Sequence, residues 1–389
     1  MTMNLGFTYA DLHDPARLEG LDRLFRQRLA AADPLLAARF ERYRAFEPLA
    51  PAELSALLVE AARFLSRFVA ELFDIEGARS GLLGRTGEES VLFRFRFSVF
   101  QKRSSKKFPD PASLVSVDPG AARRGAALVD LVAGDAGDEE LRVARTGWML
   151  FDLSASLATP RGKDASFSPE AARERIAALR RAAAGTGLPL PEDDVALLSA
   201  WTEAFDAWVA LLRFDPAHRG RTARWASFVL PKPVRFDALV PTTRPDPALP
   251  EVRAGLPTHL RHRDGFDLTD RRKTGREVTG EAFYCLLCQE RDKDSCAKGF
   301  VKKEGGFKTN PLGVPLSGCP LDEKIGEMHA LRRDGDSLGA LALVCIDNPM
   351  LPGTGHRICN DCMKGCIFQT QDAVDIPQAE TGVLTDVLG

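Results

Sequence analysis

The first 284 of the 389 residues contain no cysteine, and all eight cysteines fall between Cys285 and Cys366. That distribution excludes the disulfide framework of a small secreted fold, whose cysteines are spread through the chain. A charge excess of either sign is also missing, since 52 Lys and Arg against 54 Asp and Glu leave a formal net charge of -2. The strongly basic surface of a nucleic-acid binder is therefore not expected. No window approaches 18 continuous apolar residues, and Met1 to His13 hold no basic stretch followed by an apolar run, so neither a membrane span nor a secretory leader is read. The expectation is a cytoplasmic protein with reduced thiols, interacting with neither membrane nor nucleic acid. G-x-S-x-G and H-E-x-x-H are absent, which leaves a hydrolase reading without support. No G-x-G-x-x-G follows a strand pattern, and Gly353-Thr354-Gly355 reads better as a turn presenting Cys359.

The length suggests roughly two to three domains, and the fold class is expected to be mainly α. Leu18, Leu21, Phe25 and Leu29 form one helical stripe, and Leu54, Leu57, Leu58, Ala61, Leu65, Phe68 and Leu72 a second, punctuated by Pro15, Pro34 and Pro51. VLFRFRFSVF, residues 91–100, alternates apolar and basic residues in a strand pattern, with a helix of mixed face as the other reading. Residues 102–140 read as loops and short elements. Helices are predicted at Ser168–Ala184, with Ser168 as N-cap before Pro169, and at Glu192–Phe214, where Trp201 and Trp208 are expected in the core. Residues 231–270, crowded with Pro, Arg and Asp, read as an extended connector between a helical domain over 1–230 and a cysteine-bearing domain over 271–389.

The cysteines run C-x2-C-x7-C, then Cys319 before Pro320, then Cys345, then C-x2-C-x3-C. Thiolates at such spacings point to iron–sulfur clusters or zinc. The two C-x2-C pairs, Cys285/Cys288 and Cys359/Cys362, lie too far apart for a zinc ribbon, and one zinc leaves Cys296, Cys319 and Cys366 idle. Two [4Fe-4S] clusters would use them, and a zinc-stabilised interaction module is the alternative. Cys-Pro resembles the end of the bacterial ferredoxin run, whose last cysteine serves the other cluster. A crossed arrangement gives Cys285, Cys288, Cys296 and Cys366 to one cluster and Cys319, Cys359 and Cys362 to the other. A sequential one joins Cys319 to the first three and Cys345 to the last three, and spacing leaves both open. Cys345 sits on a stripe with Leu338, Leu341 and Ala342, where a buried cysteine is commonly a small hydrophobe.

CLLC, a third cysteine, then GCPLDEKIGEMHALRRDGDSLGALALVCIDNPMLPGTGHRICNDCMKGC and VDIPQAET follow in order. This succession, over about 281–388, resembles the N-terminal iron–sulfur domain of the dihydropyrimidine dehydrogenase and glutamate synthase small-subunit family. The matching positions are Cys319–Pro320, Gly335–Asp336, Asn348–Pro349 and Gly355-His356-Arg357, in the family's order. The gaps between Cys288 and Cys296 and before Cys319 are longer than in the family. The resemblance implies an α-helical ferredoxin-like fold with two [4Fe-4S] clusters passing electrons between flavin sites, with crossed ligation. It also implies an eighth ligand after the last cysteine, where Glu380 stands with Gln378 two residues earlier; Cys345 ranks level with Glu380. FAD and NAD(P) would belong to a following domain or a flavoprotein partner, and no catalytic residue is assigned to this chain.

Other candidates carry less. His259 and His262 in the polar connector are expected to be solvated, and His356 to tune a cluster or simply to pack. Lys102-Arg103 with Lys106-Lys107, and Arg271-Arg272-Lys273 with Arg276, are expected on solvated faces.

Overall fold

A computed structural model describes residues 3–134, 137–158, 168–257, 260, 265–266, 270–355 and 357–389. The chain is mainly helical, as its apolar periodicity predicts. It divides into two compact units, one made of residues 1–87 with 231–389, the other of residues 88–230. The boundaries differ from the expected helical domain over 1–230 followed by a connector.

In the first unit, Pro15, Pro34 and Pro51 each open a helix, at Pro15–Ala32, Pro34–Arg44 and Pro51–Phe73. Proline lacks an N–H at the position where a helix start has no partner for one, so these residues begin helices without loss. Asp14 and Asp33 cap the first two, accepting from the N–H of Ala16 and Leu36. The expected stripes meet in one core containing Phe25, Leu29, Leu57 and Phe68. Phe25 lies edge-on to Phe40, Phe64 and Phe68, with centroids 5.5 to 5.8 Å apart, a favoured aromatic geometry.

The reason residues 1–87 group with the C-terminal segment is side-chain chemistry on the Pro51–Phe73 helix. Ser66 Oγ donates to Asp336 Oδ1, and Arg63 pairs with Asp334 at 2.5 Å. Asp336 in turn caps the Ser337–Asp347 helix through the N–H of Gly339. Gly339 fits closely against the Ala62 carbonyl, and Gly335, at φ +85°, lies against Thr86 where a side chain would collide. The predicted connector is tied down at its start, where the Val234 N–H donates to the Thr370 carbonyl and the Lys232 N–H to Asp372. Further along, Thr242–Thr243 pairs antiparallel with Ala254–Gly255.

In the second unit the strand reading of residues 91–100 is corrected. The Glu76–Phe95 helix continues into a π-helical stretch, Arg96–Ser104. Leu92, Phe93, Phe95, Val99 and Phe100 are all fully buried, a helical spacing, and Arg96 is buried with its Nε donating to the Val229 carbonyl. A buried, paired arginine produces the same alternation as a half-exposed strand. The loop reading of 102–140 is corrected too, since Pro119–Ala133 is a helix capped by Asp118. Its Gly125 packs against the Ala204 carbonyl and Trp208, a close approach that glycine permits. The predicted helices appear as Pro169–Ala182, with Ser168 as N-cap, and Asp194–Phe214. Among the described residues, Asp194–Phe214 is the one helix long and apolar enough to cross a membrane. It has the character of a core helix, with Trp201, Phe205 and Leu212 fully buried and buried Asp206 paired with Arg103 at 3.1 Å. Arg103 is thus engaged rather than solvated.

Candidate metal centre

The C-terminal segment builds its site from short elements. The Gly275–Tyr284 helix starts in a capping box between Thr274 and Glu277 and ends at Cys285, its C-cap. Arg333 Nη2 donates to the carbonyls of Ala282 and Cys285, holding that end. The chain then turns through Leu287 at φ +50°, whose N–H donates to Cys285 Sγ at 3.4 Å, and Cys288 opens a short 3-10 turn. A left-handed residue is strained for leucine, and here it aims a backbone donor at a sulfur.

Cys296 lies in the one-turn Ser295–Lys298 helix, and the Cys319 N–H donates to its carbonyl at 2.9 Å. The 22 residues between them fold back as two small hairpin loops, with the Lys302 N–H donating to the Gly306 carbonyl in the first and the Asn310 N–H to the Val314 carbonyl in the second, and the Phe300 N–H closes the segment on the Leu316 carbonyl, all at 2.9 Å. Gly299, Gly318 and Gly365 let three backbones cross here, each packed against main-chain atoms of its neighbours. Cys319–Pro320 does not itself open a helix, which begins instead at Ile325. Cys362 and Cys366 flank the end of the short Asp361–Lys364 helix.

Cys285, Cys288, Cys296 and Cys366 line a single, mostly apolar pocket, together with Gln289, Ser295, His329, Phe368, Val374 and other residues. Three separated segments thus meet, and one of them carries the last cysteine of the second group. Burial pushes the Cys285 thiol up to about 12 and raises Cys288, Cys296 and Cys366, with Cys366 adding to the rise at the other three. Cys362, also raised by burial, feels Glu380, Cys319 and Cys359 instead. Cys319 is raised by burial and feels Glu323 and Glu380. Cys359 is exposed.

Backbone donors oppose these rises. The Leu287 N–H donates to Cys285 Sγ, and nearby amides lower Cys366 (Val374, Phe368 and Ile367), Cys319 (Glu323 and Leu321) and Cys362 (Met363). Buried neutral thiols need no such array, whereas thiolates accept hydrogen bonds readily. The donor set therefore suits soft metal ligation, which requires deprotonated sulfur.

The two eighth-ligand candidates are placed differently. Glu380, on the Ile376–Leu388 helix, is buried against Glu323, and burial together with that second carboxyl pushes it up to about 9. It is close enough to contribute to the rise at Cys319 and Cys362. Cys345 is half-exposed on the Ser337–Asp347 helix and feels Glu323 alone among neighbouring charges. The stripe expected to be buried, Leu338, Leu341, Ala342 and Cys345, is the less buried side of this helix, and Ser337, Gly339, Ala340, Leu343 and Val344 face inward. Apolar residues all round the helix concealed which side packs. Gln378 is structural, accepting from the Lys273 N–H and donating to the Arg271 carbonyl.

Charged pairs brace the surroundings. Arg357, at φ +56°, reaches Asp270 and Asp375, and Lys273 pairs with Glu281 and Asp375, so Lys273 is not on a solvated face. Tyr284 stacks on Phe368 with centroids 4.5 Å apart. His259, His262 and His356 lie outside the described residues. Among the described residues no three His, Cys, Asp or Glu side chains converge tightly enough to hold a single metal ion.

The residue that sequence reasoning missed is His329. It is fully buried on the Ile325–Arg333 helix and lines the cysteine pocket, and neither ring nitrogen has a hydrogen-bond partner. Burial, with Arg333 and Arg332 nearby, lowers its pKa to about 3, so the ring is neutral. Ser295 Oγ and Gln289 Oε1, on the same pocket, also lack partners. Unpaired buried polar atoms are uncommon, and several around one pocket point to a group that would pair with them.

A family model matches at the other end of the chain. Residues 3–74 match a family model described as the RP005 N-terminal alpha-helical domain. A stretch of 39 residues, 10% of the chain, is 56% identical to the uncharacterized protein RP006 of Rickettsia prowazekii (strain Madrid E) and covers 6% of it. Another of 74 residues, 17% of the chain, is 35% identical to the uncharacterized protein RP005 of the same organism and covers 25% of it. The chain thus spans a quarter or less of the curated relatives it matches. No solved structure matches.

Proposed function

We propose that this protein carries electrons through two [4Fe-4S] clusters held in an α-helical ferredoxin-like arrangement, as the iron–sulfur part of an FAD-dependent oxidoreductase of the family it resembles. Cys285, Cys288, Cys296 and Cys366 would hold one cluster; Cys319, Cys359 and Cys362 the other, with Glu380 ahead of Cys345 as its eighth ligand. The observation that carries the reading is the shared pocket of the first four, because Cys366 joins the early cysteines rather than its sequence neighbours. Four sulfurs on one zinc would lie roughly 3.8 Å apart, given Zn–S bonds of about 2.3 Å in a tetrahedron. Cysteines brought from separated segments to the wall of one pocket are what supports a multi-atom cluster. Bound clusters would accept and release single electrons, while the chain's own residues supply thiolates, backbone donors and an apolar wall.

The partner would be a flavoprotein domain or subunit bearing FAD and binding NAD(P), in the cytoplasm. Leu286 and Ile367 line the pocket and are 49% and 40% exposed, offering an apolar edge through which an electron would pass. The test is protein purified without oxygen, with its visible spectrum and its iron, sulfide and zinc content. A broad band near ~400 nm that bleaches on reduction, with iron and sulfide near ~8 each per chain, supports the proposal. Colourless protein with zinc and no sulfide replaces it with a zinc-stabilised interaction module.

A further inference from the structure

His329 has a place in the site that its sequence surroundings do not announce. The Ile325–Arg333 helix turns Ile325 and His329, one turn apart, toward the pocket lined by Cys285, Cys288, Cys296 and Cys366. The imidazole is fully buried, and both ring nitrogens lack a partner. A neutral imidazole carries one N–H and one acceptor nitrogen, and a buried N–H is nearly always paired. The charged neighbours do not satisfy it: Arg332 pairs with Asp386 at 3.1 Å, and Arg333 donates to the carbonyls of Ala282 and Cys285. Gln289 Oε1 and Ser295 Oγ share the pocket wall yet pair with neither ring nitrogen, and Ile325, Ile376, Val374 and Phe368 offer no side-chain acceptor. Sulfur is the acceptor that the cysteine pocket supplies in number.

We propose that His329 donates a hydrogen bond from its ring N–H to a sulfur of the cluster held by Cys285, Cys288, Cys296 and Cys366, and thereby raises that cluster's reduction potential. This rests on the two-cluster reading. Reduction adds one electron, supplied by the flavoprotein or by dithionite in vitro, and no bond is made or broken. The added negative charge lies partly on sulfur, where an N–H donor stabilises it, so the donor favours the reduced state. The proton stays on the imidazole throughout.

The experiment is a redox titration of the full chain, followed by electron paramagnetic resonance, on wild type, His329→Leu and His329→Gln, each with its iron and sulfide content. His329→Leu removes the donor, whereas His329→Gln keeps an N–H. The expected result is full iron content in both, and for the Leu variant a fall of about tenfold in the reduction equilibrium of one cluster, about 59 mV for one electron. The second cluster is unchanged, and the Gln variant lies closer to wild type. Should His329→Leu not fold, wild type labelled with 15N-histidine supplies the readout, through a weak nitrogen coupling to one reduced cluster. Unchanged potentials in an iron-replete Leu variant, equal shifts of both clusters, or no histidine nitrogen coupling would overturn the proposal while leaving the two-cluster reading in place. Wild type without iron and sulfide would remove both.

Discussion

The Cys319 backbone N–H donates to the carbonyl oxygen of Cys296 at 2.9 Å, so two cysteines separated by 22 residues are pinned side by side. The intervening segment closes on itself from Phe300 and Leu316 outward, and its Val301 and Leu312 are exposed. Its length is therefore no obstacle to a compact ligand set. Replacing Val301–Pro315 by Gly-Gly, which a two-residue hairpin turn accommodates, is expected to leave iron and sulfide content unchanged. Loss of iron in that variant would show that the two small loops shape the ligand segment.

Asp336 joins the N-terminal helices to the cysteine-bearing segment. Its side chain is buried, accepts from Ser66 Oγ and caps the Ser337–Asp347 helix through Gly339. Asp336→Ala removes a cap and leaves a buried hydroxyl short of its acceptor, which together cost about 2–3 kcal/mol. Asp336→Asn keeps an acceptor oxygen and is expected to cost less than half as much. Urea unfolding of the three proteins checks the order, and equal midpoints would show that the contact adds nothing.

Much of the helical framework was legible because its signals are local. Prolines at Pro15, Pro34 and Pro51 and the Ser168 cap mark helix starts, and apolar stripes mark their buried faces. The cysteine spacings are local as well, and they motivate the proposed soft-metal chemistry. Residues 91–100 misled because a buried Arg96 mimics an outward-facing one, and Pro119–Ala133 because Gly120 and Gly125 read as loop when Gly125 in fact serves helix contact. The grouping of residues 1–87 with 231–389 was hidden, since Ser66 and Asp336 meet across 270 positions. His329 carried one weak signal: Ile325, Met328, His329 and Arg332 follow i, i+3, i+4, i+7, which places a lone histidine on a packed face.

The Glu139–Arg221 pair predicts how residues 88–230 respond to acid. Arg221 Nε and Nη2 donate to both Glu139 oxygens at 2.7 and 2.9 Å, and this bidentate contact holds the carboxyl below its ordinary value of 4.5. In the unfolded chain the carboxyl returns to its ordinary value and binds a proton first as pH falls. The pair's contribution is thus full above the ordinary value and is lost as pH drops through the lowered one. Because both side chains are partly exposed, the effect is about 0.5 kcal/mol or less. Glu139→Gln should therefore be slightly less stable than wild type at neutral pH and indistinguishable from it in acid. A difference that grows in acid would contradict this origin.

Cysteine pairing separates the two ligand arrangements that spacing left open. Cys285, Cys288, Cys296 and Cys366 share a pocket, while Cys362 feels Cys319, Cys359 and Glu380. Under crossed ligation, Cys285→Ser and Cys366→Ser each disturb the same cluster, and Cys319→Ser and Cys362→Ser disturb the other. Each is expected to lower iron from ~8 toward ~4 per chain and to remove one of two reduced-state resonance signals. Under sequential ligation, Cys319→Ser would instead affect the same signal as Cys285→Ser, and Cys366→Ser the same signal as Cys362→Ser. Cys345→Ser tests the eighth position, because crossed ligation completed by Glu380 predicts unchanged iron. Glu380→Gln keeps an oxygen donor in the same buried place, whereas Glu380→Ala removes it, so the Ala variant is expected to lose the signal that Cys319→Ser removes. If Cys345→Ser removes it and Glu380→Ala does not, the eighth ligand is the cysteine.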